Sequence, residues 1–137
     1  NKVDEVEGNV FNVPSRINST WGGNLVDMVR STQILSIVEE DKLCENATLV
    51  GEYLQNQLHE LAAKYDKMSN VRGRGLLCSF DFPDKDMRNK FVEKGMENNV
   101  MFLGCGSHTI RFRPALCIEK KHIDEGIEIM HKILPTL

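Results

Sequence analysis

Two hydroxyl residues ahead of a glycine pair, in Asn18-Ser19-Thr20-Trp21-Gly22-Gly23-Asn24, make a turn suited to holding an anion. Ser19 and Thr20 supply the hydroxyls, and Gly22 and Gly23 allow a sharp turn and a close backbone approach to a ligand. Asn24 is a favourable N-cap for the apolar-periodic run that begins at Leu25. A helix start behind such a turn favours phosphate, because free N–H groups and the helix dipole point the same way. An ordinary capped loop could be built from the same residues.

A second stretch, Thr109-Ile110-Arg111-Phe112-Arg113-Pro114, alternates in a strand-like manner. Period two puts Ile110 and Phe112 on one face, toward a core, and Arg111 and Arg113 on the other, with Cα atoms about 6.5–7 Å apart. A guanidinium fork matches a carboxylate bidentately, so this face is a candidate carboxylate site. Two solvated arginines on a surface strand would show the same pattern. Arg72 and Arg74 around Gly73 could hold a second anion, but a glycine-rich strand entry accounts for them without a ligand.

The whole chain limits what these residues can serve. Its 137 residues suffice for one domain with a real core. A formal charge of −3 gives no electrostatic case for nucleic acid or an anionic membrane, and no apolar run approaches the roughly 20 residues of a bilayer span. The chain opens Asn1-Lys2-Val3-Asp4-Glu5, with neither an initiator Met nor the apolar stretch of a signal peptide, as expected of a piece of a longer protein. Cys44, Cys78, Cys105 and Cys117 form no C-x-x-C pair, and with His59, His108, His122 and His131 they lack zinc-ligand spacing. No metal site is expected, and the cysteines read as buried free thiols of a cytoplasmic protein.

The elements that must position the two stretches follow from periodicity. Residues 1–17 have no clean period; Val10, Phe11 and Val13 suggest a short strand or an extended arm. Leu25, Met28, Val29, Thr32 and Leu35 predict a helix, widened by Ile34, Ile37 and Val38 and so expected to be covered on more than one side. Glu39-Glu40-Asp41-Lys42 ends it. A second helix carries the stripe Leu43, Ala47, Val50, Leu54, Leu58, Leu61 and Tyr65. Val71 to Gly75 leads into a strand in which Leu76, Cys78, Phe80 and Phe82 alternate with Leu77, Ser79 and Asp81. Asp84 caps a third helix with Met87, Phe91, Val92 and Gly95 inward, stopped at Asn98-Asn99. Residues 100–103 form a strand, 104–107 a turn, 109–113 a returning strand and 119–134 a final helix with Ile123, Ile127, Met130 and Leu134 on one face. The expected fold is a two-layer α+β unit, helices packed on a small sheet with an antiparallel hairpin.

Val3 to Asn24, Val71-Arg72-Gly73-Arg74-Gly75 with Cys78 and Phe80, and Ile110-Arg111-Phe112-Arg113-Pro114 together resemble, in order, the C-terminal part of the class III pyridoxal-phosphate aminotransferases. The Ser-Thr-Trp-Gly-Gly-Asn turn is most similar to members acting on the terminal amine of lysine. Members acting on 4-aminobutyrate share the Arg-Gly-Arg-Gly and Ile-Arg-Phe-Arg-Pro segments but depart at the turn. The resemblance implies the small C-terminal domain of the type I pyridoxal-phosphate fold, with residues 1–24 as arm and phosphate turn and 25–137 as the domain. It implies a homodimer whose large domain is missing here, with pyridoxal 5'-phosphate as cofactor. Amino acid and 2-oxo acid would be the substrates, nitrogen passing from L-lysine to 2-oxoglutarate.

By the same resemblance, Thr20, with Ser19 beside it, would meet the cofactor phosphate of the neighbouring subunit. Arg111 would take a substrate carboxylate, with Arg113 the adjacent candidate. The family's cofactor-holding lysine lies upstream of the turn, where only Lys2 stands here in a different context. The isolated chain is therefore expected not to transaminate, and no catalytic residue is assigned in it. A small carboxylate-binding regulatory module is the alternative that uses the arginine face alone.

Overall fold

The computed structural model describes residues 2, 5–14, 16, 20 and 22–137. The chain divides into two compact units, Asn1–Ile37 and Val38–Leu137.

In the first unit the arm is a series of turns, not the strand its Val-Phe-Val pattern suggested: Asn9 N–H donates to Val6 O at 3.2 Å and Arg16 Nη1 to Gly8 O at 2.6 Å. Helix α1 (Leu25–Glu40) starts at Asn24 as its cap residue requires, but none of its residues is buried. Leu25 and Val29 are 76% and 73% exposed, so the expectation of a helix covered on several sides does not hold. A stripe of apolar residues reports what a helix could bury, not whether a partner is present.

The second unit runs α2 (Leu43–Lys64), β1 (Ser69–Arg74), β2 (Leu77–Asp81), α3 (Lys85–Glu97), β3 (Leu103–Cys105), β4 (Thr109–Phe112) and α4 (Lys120–Ile133), closing in a 3-10 turn, Leu134–Thr136. The four strands form one antiparallel sheet in the order β1-β2-β4-β3. The expected two-layer α+β arrangement is present: α2, α3 and α4 pack on one face of the sheet. Cys78, Phe80 and Ile110 point into that layer and are at most 1% exposed. Phe80, Phe82, Phe91, Phe102 and Phe112 are linked ring to ring at 4.6–6.1 Å, so an aromatic cluster ties the sheet to α3. From α2 and α4, Leu58, Leu61, Ile123, Ile127 and Met130 complete the core.

Three boundaries differ from the periodicity. Val71 to Gly75 is no mere entry: most of it belongs to β1, paired with β2 through the turn at Gly75 and Leu76. Glycine lowers strand propensity locally, and only the pairing with β2 makes the segment a strand. Gly75 has φ +54°, and α2 lies so close that a Cβ on Gly51 would collide with the Gly75 backbone. Residues 100–102 are not a strand, because the end of α3 still holds them: Val100 N–H donates to Gly95 O at 2.9 Å. The strand begins at Leu103 and takes in Gly104 and Cys105, leaving 106–108 as the turn. Strand β4 ends at Phe112, one residue short of Arg113, since Pro114 has no N–H to continue the ladder.

The cysteines also part from expectation. Cys78 is buried, but Cys44 and Cys117 are exposed and Cys105 is intermediate. Among the described residues no group of three or more His, Cys, Asp or Glu is gathered for a metal, and no helix is long and apolar enough to cross a membrane.

Candidate functional site

Because β4 alternates, the burial of Ile110 against the helices turns Arg111 to the opposite face of the sheet. The cross-strand register pairs Arg111 with Ser79 and Leu103, and Ser79 in turn with Arg72. Arg72, Ser79, Arg111 and Leu103 therefore form one row across all four strands. Arg72, Ser79, Cys105, Thr109 and Arg111 line a shallow depression of about 280 Å³ on this face. The Arg111 Nε is buried and has no hydrogen-bond partner among the described residues. A buried N–H without an acceptor is uncommon in folded proteins and costs about 1–3 kcal/mol, which an incoming carboxylate would recover.

One row along stands Asp81, 7% exposed, a carboxylate that the sequence offered only as an outward-facing strand position. Thr109 Oγ1 donates to its Oδ1 at 2.6 Å and Asn70 Nδ2 to its Oδ2 at 2.7 Å. Arg72 Nη1 lies 3.1 Å from Oδ1, and His108 Nε2 stands 3.8 Å from Oδ2. A register irregularity in β1 between Ser69 and Arg72, with Asn70 at φ +50°, brings Asn70 and Arg72 onto this one carboxylate. Burial alone would push the Asp81 carboxyl upward; the hydrogen bonds from Thr109, Asn70 and Arg72, with the Arg72 charge, outweigh it and hold the group below its usual value. No local pattern could have revealed this cluster, because its members lie 9 to 28 residues from Asp81 in the chain.

Arg113, past the end of β4, is exposed and is not among the residues lining this depression. It lines instead, with Arg111, an apolar groove of about 220 Å³ walled by Phe102, Phe112, Ile123 and Ile127. The two candidate arginines thus share the groove, while Arg111 alone reaches the open sheet face. Asn46 of α2 fixes the segment that follows, donating through Nδ2 to Leu116 O at 2.7 Å and to Ile118 O at 3.1 Å.

In the first unit Thr20 is exposed in a turn before Gly22 and Gly23, and Gly23 has φ +75°. Ser19 and Trp21 lie outside the described residues. Asn24 caps α1 with its own side chain: Oδ1 accepts from Val26 N–H at 2.9 Å and from Asp27 N–H at 3.4 Å. Two of the helix N–H groups expected to be free for an anion are therefore occupied. Asp27 adds a negative charge in the first turn, paired with Arg30 at 2.9 Å. What this turn can offer a phosphate is the Thr20 hydroxyl and the glycine peptides, more than the helix itself.

Residues 4–134 match the family model described as Aminotransferase class-III. The L-lysine-epsilon aminotransferase of Mycobacterium tuberculosis is 44% identical over 137 residues, which cover 99% of this chain and 30% of that protein. The mitochondrial 4-aminobutyrate aminotransferase of Sus scrofa is 38% identical over 124 residues, 90% of this chain and 25% of that protein. The solved structure of lysine aminotransferase from M. tuberculosis aligns with a TM-score of 0.88 at 44% identity, over 99% of this chain and 32% of that one. The chain spans less than a third of the length of these relatives.

Proposed function

The chain belongs to the class-III aminotransferases, and from that premise we propose that it is the C-terminal part of a pyridoxal 5'-phosphate-dependent enzyme moving the terminal amino group of L-lysine to 2-oxoglutarate. The observation that carries this reading is Arg111, whose Nε is buried on an open sheet face without a partner among the described residues. Similarity to lysine aminotransferases along 99% of the chain supports the choice of amino donor.

Arg111 binds a substrate carboxylate through its fork. Its backbone is paired on both sides, to β2 and β3, so the guanidinium starts from a rigid base. Fixing the carboxylate decides which of the donor's two amines reaches the reacting centre, favouring the terminal one by orientation. Arg113, which lines the neighbouring groove, is the adjacent contact for a longer acid.

Thr20, with Ser19, contributes hydroxyl donors to the cofactor phosphate of a neighbouring subunit in a homodimer. An exposed hydroxyl beside two glycines suits that group. Bound pyridoxal phosphate supplies a carbonyl for the amine and a ring that withdraws electrons. Residues 1–24 form the arm and phosphate turn, and 25–137 the small domain. The lysine that holds the cofactor, and the partner of its ring nitrogen, belong to a large domain outside this chain. The 137 residues alone do not transaminate.

The test is the visible spectrum of the cofactor in the full-length protein, with L-lysine, 4-aminobutyrate or L-ornithine added singly and no acceptor present. Spectral conversion by lysine alone is the expected result. Conversion by 4-aminobutyrate instead would transfer the assignment to that substrate, the second reading, which the 38% identity to the Sus scrofa enzyme favours. A protein with no cofactor band would leave only a carboxylate-binding module.

A further inference from the structure

The turn that joins β3 to β4, residues 106–108, brings a hydroxyl and an imidazole up to the Asp81 carboxylate. Ser107 Oγ stands 2.6 Å from Nδ1 of His108, and His108 Nε2 stands 3.8 Å from Asp81 Oδ2. The backbone O of His108 accepts from Phe82 N–H at 2.9 Å, which pins the imidazole's base just past the end of β2. Asp81 is fixed in turn by Thr109 and Asn70, at 2.6 and 2.7 Å. At 3.8 Å the carboxylate is too far for a direct hydrogen bond, yet its charge favours the tautomer that carries the ring proton on Nε2. The lone pair of Nδ1 is then free, and the Ser107 hydroxyl 2.6 Å away donates to it. Access is open. Ser107 is exposed, and no described atom lies within 4 Å of where a Cβ on Gly106 would stand.

We propose that Ser107 is a nucleophilic serine, a covalent modification site that takes an acyl group from a thioester. His108 Nδ1 is the base, and Asp81 is a positioning residue that holds the imidazole in the tautomer required. This is the division of roles of a serine–histidine–aspartate triad with the two ring nitrogens exchanged, and such a triad is defined by geometry, not by chain order. In the step, a bond forms between Ser107 Oγ and the acyl carbon while the carbon–sulfur bond breaks. The hydroxyl proton passes to His108 Nδ1 and from there to the departing thiolate, so an ester and a thiol form with no change of oxidation state. A thiolate leaves far more readily than an alkoxide, which makes a thioester the acyl donor that one base and one nucleophile can open. Because Ser107 lies on an exposed turn, the donor meets it from solvent and the product is a mark on the surface. Neither the cofactor nor the arginine face takes part, so the inference is independent of the aminotransferase reading.

The test is acetylation of the full-length, cofactor-loaded protein by S-phenyl thioacetate, with the adducts located by tandem mass spectrometry. Neutral hydroxylamine before digestion clears acyl groups from cysteines, Cys105 near the turn included, and leaves oxygen esters in place. Ser69 is the internal reference, an exposed serine that donates to the backbone O of Asp81 at 3.4 Å. Ser107 should be acetylated about a hundredfold faster than Ser69, the low end of what a positioned base contributes. His108→Gln should bring Ser107 down to the Ser69 rate. In protein carrying nitrogen-15 histidine, the ring shifts that vanish in His108→Gln should report a proton on Nε2, and Asp81→Asn should move part of it to Nδ1. A purely structural carboxylate would leave the tautomer as it is. Acetylation of Ser107 no faster than that of Ser69 overturns the proposal, and so does an undiminished rate in His108→Gln. Both residues lie in a surface turn, so these arms stand by themselves if Asp81→Asn fails to fold. An unchanged tautomer in a folded Asp81→Asn overturns the three-residue arrangement.

Discussion

Thr109 Oγ1 donates to Asp81 Oδ1 at 2.6 Å, across the very pair of residues that opposes β2 to β4. The bond locks the register of the strand that carries Arg111, two residues on. It also gives a carboxylate that is 7% exposed a short, charge-assisted partner.

Removing the carboxylate should cost more than removing the hydroxyl. Asp81→Ala strands Thr109, Asn70 and Arg72 together, and we expect a loss of about 2–3 kcal/mol, moderated because Arg72 remains half exposed. Thr109→Val removes one hydrogen bond to a charged acceptor and should cost about 1.5 kcal/mol. Urea unfolding of the 137-residue chain measures both. Equal losses would show that the carboxylate works through Thr109 alone.

The same carboxylate makes stability depend on acid. Its folded value lies below the usual one of 3.8, despite the opposing pull of burial. A group depressed in the folded state binds its proton more readily when unfolded. Its stabilisation is therefore complete above the unfolded value and disappears as pH falls through the lower, folded value. Asp81→Asn should flatten the acid limb of the stability curve, where pH falls through the usual carboxylate value of 3.8 and below. An unchanged acid slope would mean that other carboxylates carry the transition.

Gly51→Ala should destabilise the protein even though alanine is the better helix former. Helix propensity favours the substitution by about 1 kcal/mol. A Cβ at Gly51, however, meets the backbone of Gly75, which cannot rotate aside as a side chain would. We expect a net loss of about 1–3 kcal/mol from overpacking, read by thermal unfolding. Stabilisation would show that α2 does not approach the β1–β2 turn so closely.

The thiols should react in order of exposure. Cys44 and Cys117 are exposed, while Cys78 is buried and donates to Gly75 O at 3.1 Å. Burial pushes the Cys78 thiol up to about 11, so almost none of it is thiolate at neutral pH. In the 137-residue chain an aromatic disulfide reagent should label Cys44 and Cys117 quickly, Cys105 more slowly, and Cys78 only on unfolding. Rapid labelling of Cys78 would mean that the sheet opens locally at β2.

Much of the fold was legible in the chain, and so was the arginine that carries the proposed site. The stripe from Val50 to Leu61, the alternation from Leu76 to Phe82 and the cap at Asp84, whose side chain accepts from Met87 N–H at 2.8 Å, all appear as periodicity and local chemistry demand. Arg111 was legible because Ile110 and Phe112 beside it are apolar, and alternation then leaves one direction for its side chain. These features depend on neighbours within a turn or two, which the chain order supplies directly.

The rest depends on residues far apart in sequence. Whether Val71 to Gly75 would be a strand was decided by β2, and how α2 could approach that turn was decided by two glycines 24 positions apart, Gly51 and Gly75. Asp81 became the centre of a polar cluster only when a β1 irregularity brought Asn70 and Arg72 beside it and β4 brought Thr109. That Arg72, of two similar arginines on this face, is paired with an internal carboxylate is likewise a matter of tertiary placement. By itself the sequence determined which side chains could face inward and which could bind a carboxylate, because those are properties of residue type and period. Only the folded sheet decided that Arg72 pairs with Asp81, because charge pairing follows distance in space.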